Sequence, residues 1–203
     1  MKTLLLTGFE PFLKFTINPT MQIAEELHGE VIGAYKIHSQ VLSVDFESSG
    51  KQLLKHIEKI QPDAVVSLGL AGGRYKITPE RIAINVKDGE PDNEGNRPVD
   101  EIIRENGKDG YMSTLPVRMM VNRLLEIGLP AEVSNSAGTY LCNNVMYEAL
   151  HYAATQKPSM KSGFLHIPAS HELAVQNGRI PSWSHADLKK GVTACIQVLS
   201  ENE

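Results

Sequence analysis

Ala64-Val65-Val66-Ser67-Leu68-Gly69-Leu70-Ala71-Gly72-Gly73-Arg74 decides the fold class. The run from Ala64 to Leu68 is apolar on both sides, too short for a helix, and follows the breaker Pro62; it reads as a strand buried on both faces. Such a strand belongs to a largely parallel sheet, which needs helices on each side of it. Gly69 to Arg74 then reads as a flexible turn at the strand's C-terminal end, where open α/β sheets bind their ligands.

Working outward, apolar runs alternate with stretches of helical period, as expected of one α/β domain over residues 1–203. Leu4 to Thr7 is the first expected strand. Asn18-Pro19 reads as an N-cap with Pro at the first helical position, Met21, Ile23, Ala24 and Leu27 facing inward and Gly29 ending the helix. Val31 to Leu42 is predicted extended, Asp45 to Ile60 helical, and Ile82 to Val86 a strand. Lys87 to Pro98, rich in turn residues, is expected to be the most mobile loop. Pro116 to Ile127 is predicted helical with Val117, Met120, Val121, Leu124 and Leu125 inward and Gly128 closing it. Ala131 to Ser134 should be a strand, Asn143 to Ala154 a helix, Gly163 to Ile167 a strand, and Leu188 to Leu199 the last helix.

The 203 residues include 24 acidic and 20 basic side chains, a net charge of -4 with the seven histidines neutral. That balance, without a basic run, argues against a nucleic-acid or membrane face. The N-terminal apolar run is far shorter than a membrane span, and only Cys142 and Cys195 carry thiols, so free cysteines in a cytoplasmic setting are expected.

Cys142 follows the small-residue stretch Ser134-Asn135-Ser136-Ala137-Gly138-Thr139-Tyr140-Leu141 and precedes an apolar helix. A thiol at a helix N-terminus meets unpaired N–H groups and the positive end of the dipole, which lower a cysteine pKa from about 8.5 toward neutrality. A small buried hydrophobe is the plain alternative; Cys195, inside an ordinary amphipathic helix, reads only as core or surface packing. A thiol nucleophile needs a base, and His166, closing the run Gly163-Phe164-Leu165, stands where a late strand reaches the same sheet edge. The other histidines fall on helices, their ends, polar stretches or loops, His171 among the last. Glu80, in Ile77-Thr78-Pro79-Glu80-Arg81, is either the acid that orients the base or half of a surface turn with Arg81, and spacing does not choose. There is no His-Glu-x-x-His pair, no Gly-x-Gly-x-x-Gly and no Gly-x-Ser-x-Gly, so neither a metal nor another cofactor is expected.

Taken together, the motifs resemble the pyroglutamyl peptidase I family of cysteine peptidases, also called pyrrolidone-carboxylate peptidases. The resemblance spans nearly the whole chain. It runs through Thr7-Gly8-Phe9-Glu10-Pro11-Phe12, Pro79-Glu80-Arg81-Ile82-Ala83-Ile84-Asn85, Pro91-Asp92-Asn93-Glu94-Gly95-Asn96, Ser113-Thr114-Leu115-Pro116, Ser136 to Asn143, and Gly163 to Pro168. It implies an α/β/α sandwich, a cytoplasmic homotetramer, and removal of N-terminal pyroglutamyl residues from peptides. By residue it implies Cys142 as nucleophile, His166 as base and acid, and Glu80 as the orienting group. Phe9, Phe12, Val44, Tyr140 and Leu141 would line the ring pocket, with core packing the alternative for Val44 and Leu141.

The chain departs from the family pattern at several points. The usual Asp-Ala-Arg-Ile stretch, whose arginine serves the oxyanion, is replaced by Asp88-Gly89-Glu90-Pro91; Arg74, Arg97 and backbone N–H groups are the candidate substitutes. Leu70 stands where many members have Gln, Leu13-Lys14 replaces two glycines, and Ala169-Ser170-His171-Glu172 replaces a proline-rich stretch. Two functions follow: an active peptidase, or a weakly active or inactive relative that binds pyroglutamyl compounds. The intact set of Glu80, Cys142 and His166 favours the first; Glu90, an anion where a cation is usual, favours the second.

Overall fold

A computed structural model of the chain describes residues 1–13 and 15–201; Lys14 lies outside them. In chain order the elements are β1 (Lys2–Phe9), α1 (Pro19–Glu26), β2 (Val31–Ile32), β3 (Tyr35–Leu42), α2 (Ser49–Ile60), β4 (Ala64–Leu70), β5 (Thr78–Pro79), β6 (Ile82–Ile84), β7 (Gly110–Met112), α3 (Val117–Glu126), α4 (Leu141–Gln156), β8 (Lys161–Ile167), β9 (Ala169–Ser170), α5 (His171–Asn177), β10 (Ser182–Trp183) and α6 (His185–Glu201).

The main sheet has the order β2-β3-β1-β4-β8-β5, with β3, β1, β4 and β8 parallel and the short edge strands β2 and β5 antiparallel. Side chains alternate across it. Leu4 and Leu6 of β1, Val66 and Leu68 of β4 and Leu165 and Ile167 of β8 pack with Ile23 of α1, Met120 and Leu124 of α3, and Leu188 and Val192 of α6. Leu5, Val65 and Phe164 point the other way, onto Leu53 and Ile57 of α2 and Val145, Met146 and Leu150 of α4. The result is a three-layer α/β/α sandwich around a mostly parallel sheet.

Several boundaries differ from the sequence reading. β4 continues through Gly69 and Leu70, which pair with His166 and Ile167, so the turn starts only at Ala71. Gly69 permits this because a Cβ there would lie 2.6 Å from the Phe164 ring and 2.9 Å from Cys142 Sγ. α2 begins at Ser49 rather than Asp45, since the Asp45 carboxylate turns the chain by accepting from the Glu47 N–H at 2.9 Å. The strand expected over Ile82–Val86 stops at Ile84 and pairs with β7 outside the main sheet. There the Asn143 side chain takes over the backbone, bonding Ile84 N at 2.9 Å, Ile84 O at 2.8 Å and Val86 O at 3.0 Å.

Ala131 to Ser134 makes only isolated bridges, from Ala131 to Ile77 and Ser134 to Glu80, because Pro79 between them has no N–H to continue a ladder. Leu125 is exposed, unlike its neighbour Leu124, and Met21 is half-buried. α1 ends before Gly29, whose φ of 82° instead serves the following turn. His171 opens α5, capped by Ser170, where a loop was expected. No helix among the described residues is long and apolar enough to cross a membrane.

Candidate active site

The C-terminal ends of β1, β4 and β8 meet the N-terminus of α4. Cys142 is the second residue of α4, reached through Gly138 at φ 79°, and Tyr140 caps the helix in extended conformation without a side-chain hydrogen bond. The first-turn N–H groups of α4 therefore have neither a side-chain cap nor an acidic residue beside them. His166 sits on β8 next to Gly69 of β4, the residue whose missing Cβ makes room for the Cys142 sulfur.

Glu80 follows β5, which lies antiparallel to β8 with Thr78 opposite His166. Its carboxylate is fully buried, and Oε1 lies 2.7 Å from His166 Nδ1. The surface-turn alternative for Glu80 is thereby excluded. Burial acts to lower the His166 pKa, but the adjoining Cys142 thiol and the Glu80 carboxylate raise it to about 9. Burial acts to raise that of Glu80, and His166, Ser134 and Arg74 bring it below the ordinary carboxylate value. The arrangement therefore favours an imidazolium between a carboxylate and a sulfur.

These groups open on a cavity of about 200 Å³ lined by Phe9, Phe12, Asn18, Val44, Leu70, Ala137, Tyr140 and Leu141 together with Cys142 and His166. All five residues expected to line a pocket are on its wall. Val44 and Leu141, each 2% exposed, also belong to the core, so the two readings of these residues coincide. Asn18, Leu70 and Ala137 were not foreseen as lining residues. Asn18 carried a signal as the cap of α1; its Oδ1 accepts from Thr20 and its Nδ2 donates to Glu10 O at 3.0 Å, which spends its polar atoms on the wall itself.

The loop over residues 87–98 has no regular element, yet it is fastened. The Asp92 carboxylate accepts from the N–H groups of Phe46, Glu94 and Asn96 at 2.8–3.0 Å, and Asn93 Nδ2 donates to Glu10 Oε1 and to Pro11 O, both at 3.0 Å. Tyr140 donates to Pro91 O at 3.2 Å and packs edge-on against Phe46. Burial, with Asp92, Cys142 and Glu90 nearby, pushes the Tyr140 hydroxyl up to about 12, so it remains a neutral donor.

Of the candidate cations, Arg74 lies against Glu80, its Nη1 2.7 Å from Glu80 Oε1 and 2.6 Å from Thr78 Oγ1, and so serves the carboxylate. Arg97 Nε donates to Gly89 O at 3.3 Å, on the loop that covers Tyr140. Glu90 is exposed on that loop. Cys195 is fully buried, and desolvation pushes its thiol up to about 12. No group of three or more His, Cys, Asp or Glu side chains among the described residues is placed to hold a metal ion.

The family model for pyroglutamyl peptidase matches residues 1–202. The chain belongs to the pyroglutamyl peptidase family. It is 61% identical to the pyrrolidone-carboxylate peptidase of Lysinibacillus sphaericus over 97% of this chain and 96% of that one. With its counterpart from Oceanobacillus iheyensis it shares 51% over 98% of this chain and all of that one. Among solved structures it superposes on the pyrrolidone carboxyl peptidase of Thermococcus litoralis with a TM-score of 0.95 at 39% identity, covering 99% of this chain and 94% of the other. Pyroglutamyl peptidase I of Bacillus amyloliquefaciens gives the same TM-score at 36% identity, covering 100% and 98%. Membership of the pyroglutamyl peptidase family extends over the whole sandwich, including the three strand ends and the helix that meet at Cys142.

Proposed function

We propose that the chain is a cysteine-type omega-peptidase that removes N-terminal pyroglutamyl residues from peptides, with residues 1–203 acting as one catalytic domain. The observation that carries the reading is the Glu80–His166 pair set beside Cys142 on the wall of a small apolar pocket. Cys142 attacks, as thiolate, the carbonyl joining the pyrrolidone ring to the next residue. His166, protonated, gives its proton to the departing amine, and the thioester that remains is hydrolysed by water from which His166 removes a proton. Glu80 holds the ring tautomer and balances the imidazolium charge. The Cys142 N–H at the uncapped start of α4 is the backbone donor for the oxyanion, where one such donor is worth about 10²–10³ in rate.

The pocket supports the choice of substrate. At about 200 Å³ it is smaller than the roughly 300–1,000 Å³ of drug-sized sites and suits a single small ring. Its walls carry no carboxylate to receive an ammonium, so an ordinary charged N-terminus would lose its hydration at a far greater cost than a neutral lactam. Phe9, Phe12, Val44, Tyr140 and Leu141 take the ring faces. Catalysis is preferred over simple binding because a binder has no use for a buried carboxylate holding an imidazolium against a thiol. A reducing, cytoplasmic setting fits two free cysteines. A homotetramer fits the exposed apolar Met112, Met119 and Leu125.

The experiment is a comparison of pyroglutamyl, prolyl and glutamyl conjugates of one fluorogenic amine under reducing conditions. Release from the pyroglutamyl compound alone is expected. Equal release from the prolyl compound, whose five-membered ring lacks the lactam carbonyl and carries a charged nitrogen, would overturn the specificity.

A further inference from the structure

The turn that follows β4, Ala71-Gly72-Gly73-Arg74, closes with Arg74 N donating to Ala71 O at 2.9 Å and sends the arginine side chain back toward β5. Its Nη1 reaches two atoms at once, Thr78 Oγ1 at 2.6 Å and Glu80 Oε1 at 2.7 Å. That carboxylate oxygen is the one His166 Nδ1 contacts, also at 2.7 Å. Arg74 does not line the pocket, and its side chain is 35% exposed while that of Glu80 is fully buried.

We infer that Arg74 is a positioning residue for the reaction, fixing the Glu80 carboxylate for His166 and offsetting part of its charge. For its effect on turnover this rests on the peptidase reading above. An arginine is cationic at every working pH and holds a carboxylate more rigidly than water can. The groups that bear on His166 are Cys142 from α4 and Glu80; those that bear on Glu80 are His166, Ser134 and Arg74. Arg74 is the one permanent cation of the set. It keeps Glu80 ionised whether or not His166 is protonated, so the carboxylate does not take the proton meant for the leaving amine. Because both cations share Oε1, Arg74 also weakens the grip of Glu80 on the imidazolium. Without it His166 holds its proton more tightly, and protonation of the leaving group slows while ring binding, made elsewhere, does not change.

The test uses Arg74→Gln, Arg74→Lys and Thr78→Val in the full chain, with two readouts. The first is kcat and KM for a pyroglutamyl amine across pH. The second is the pH at which the rate of Cys142 alkylation by iodoacetamide steps as His166 gives up its proton, a measurement that needs no substrate. Arg74→Gln is expected to lower kcat about 10- to 100-fold with KM within about threefold, and to move the alkylation step to higher pH. Arg74→Lys should recover most of both, and Thr78→Val, which frees one anchor of Nη1, should show a smaller shift of the same sign. Wild-type kcat and an unmoved step in Arg74→Gln would overturn the inference. If that variant does not fold, an unmoved step in Thr78→Val does so. Absence of turnover in the wild type would instead sink the peptidase reading, and the alkylation step would still decide the role of Arg74.

Discussion

His166 Nδ1 and Glu80 Oε1 lie 2.7 Å apart although 86 residues separate them in the chain and the carboxylate is closed off from water. The pair exists because β5 runs antiparallel to β8 at the sheet edge, setting Thr78 opposite His166 and delivering Glu80 just beyond. Cys142 first and Glu80 second then outweigh burial and keep the imidazole protonated to about pH 9. The general acid is therefore present below that value and lost above it, so kcat/KM should fall as pH rises through about 9. The stability contributed by the pair has the same upper limit: a raised histidine pKa stabilises fully below about 6.5 and ceases to do so as pH passes about 9. Glu80→Gln, which keeps the shape but removes the charge, should cost about 10²–10⁴ in kcat and lower the pH at which His166 titrates. A pH profile unchanged in that variant would contradict the pairing.

The two cysteines should separate cleanly. Cys195 is buried and inert, so native protein should be alkylated at Cys142 alone, as peptide mapping after brief iodoacetamide treatment will report. Cys195→Ser should keep turnover within a small factor while losing about 1–3 kcal/mol of stability, the cost of putting a hydroxyl into the core.

Gly69 is the residue that lets strand, ring and thiol share one space. Gly69→Ala would press a methyl into the Phe164 ring and the Cys142 sulfur. A loss of about 1–3 kcal/mol is expected, as for other overpacked cores, measured by thermal unfolding. Activity should fall further than Gly163→Ala lowers it, since the groups that the Cβ of Gly163 would meet are Ser113 and Leu115 rather than the thiol.

Asp92 anchors the loop that carries Tyr140's partner, Pro91. Removing its carboxylate leaves three backbone N–H groups without their acceptor. Asp92→Ala should destabilise by about 2–4 kcal/mol and raise KM more than it lowers kcat, because the loop holds the pocket wall Tyr140 through Pro91 O and makes no contact with the Glu80–His166 pair. Burial notwithstanding, those N–H groups hold the Asp92 pKa below its ordinary value. Its contribution is therefore present above the unfolded carboxylate range and lost on acidification, so the gap in melting temperature between wild type and variant should narrow at low pH.

Much of this was legible in the sequence. The mostly apolar run at Ala64, the Asn18-Pro19 cap and the small-residue approach to Cys142 carry their structural meaning locally, in period and backbone preference, and the sandwich and the helix-borne thiol follow from them. What was hidden is what depends on distant partners. Nothing near Gly69 states that a phenyl ring from β8 will fill the place of its side chain, so the sequence alone puts the end of the strand at Leu68 rather than Leu70. Ala131 to Ser134 has strand-like residues, but its neighbour is interrupted by Pro79. Arg74 looked like a candidate for the oxyanion because the sequence shows only that a cation follows a glycine turn; its commitment to Glu80 is a tertiary fact. Leu70 became a pocket wall as the last residue of β4, and Ala137 as part of the irregular stretch that leads into α4.

The most direct measurement is release of a fluorogenic amine from its pyroglutamyl conjugate by the reduced wild-type chain and by Cys142→Ala of matched circular dichroism. Thiolate catalysis at Cys142 predicts steady turnover by the former and a loss of at least about 10⁴-fold in the latter, with the glutamyl conjugate untouched by both. Turnover that survives the loss of Cys142, or none from folded, reduced wild type, would contradict it.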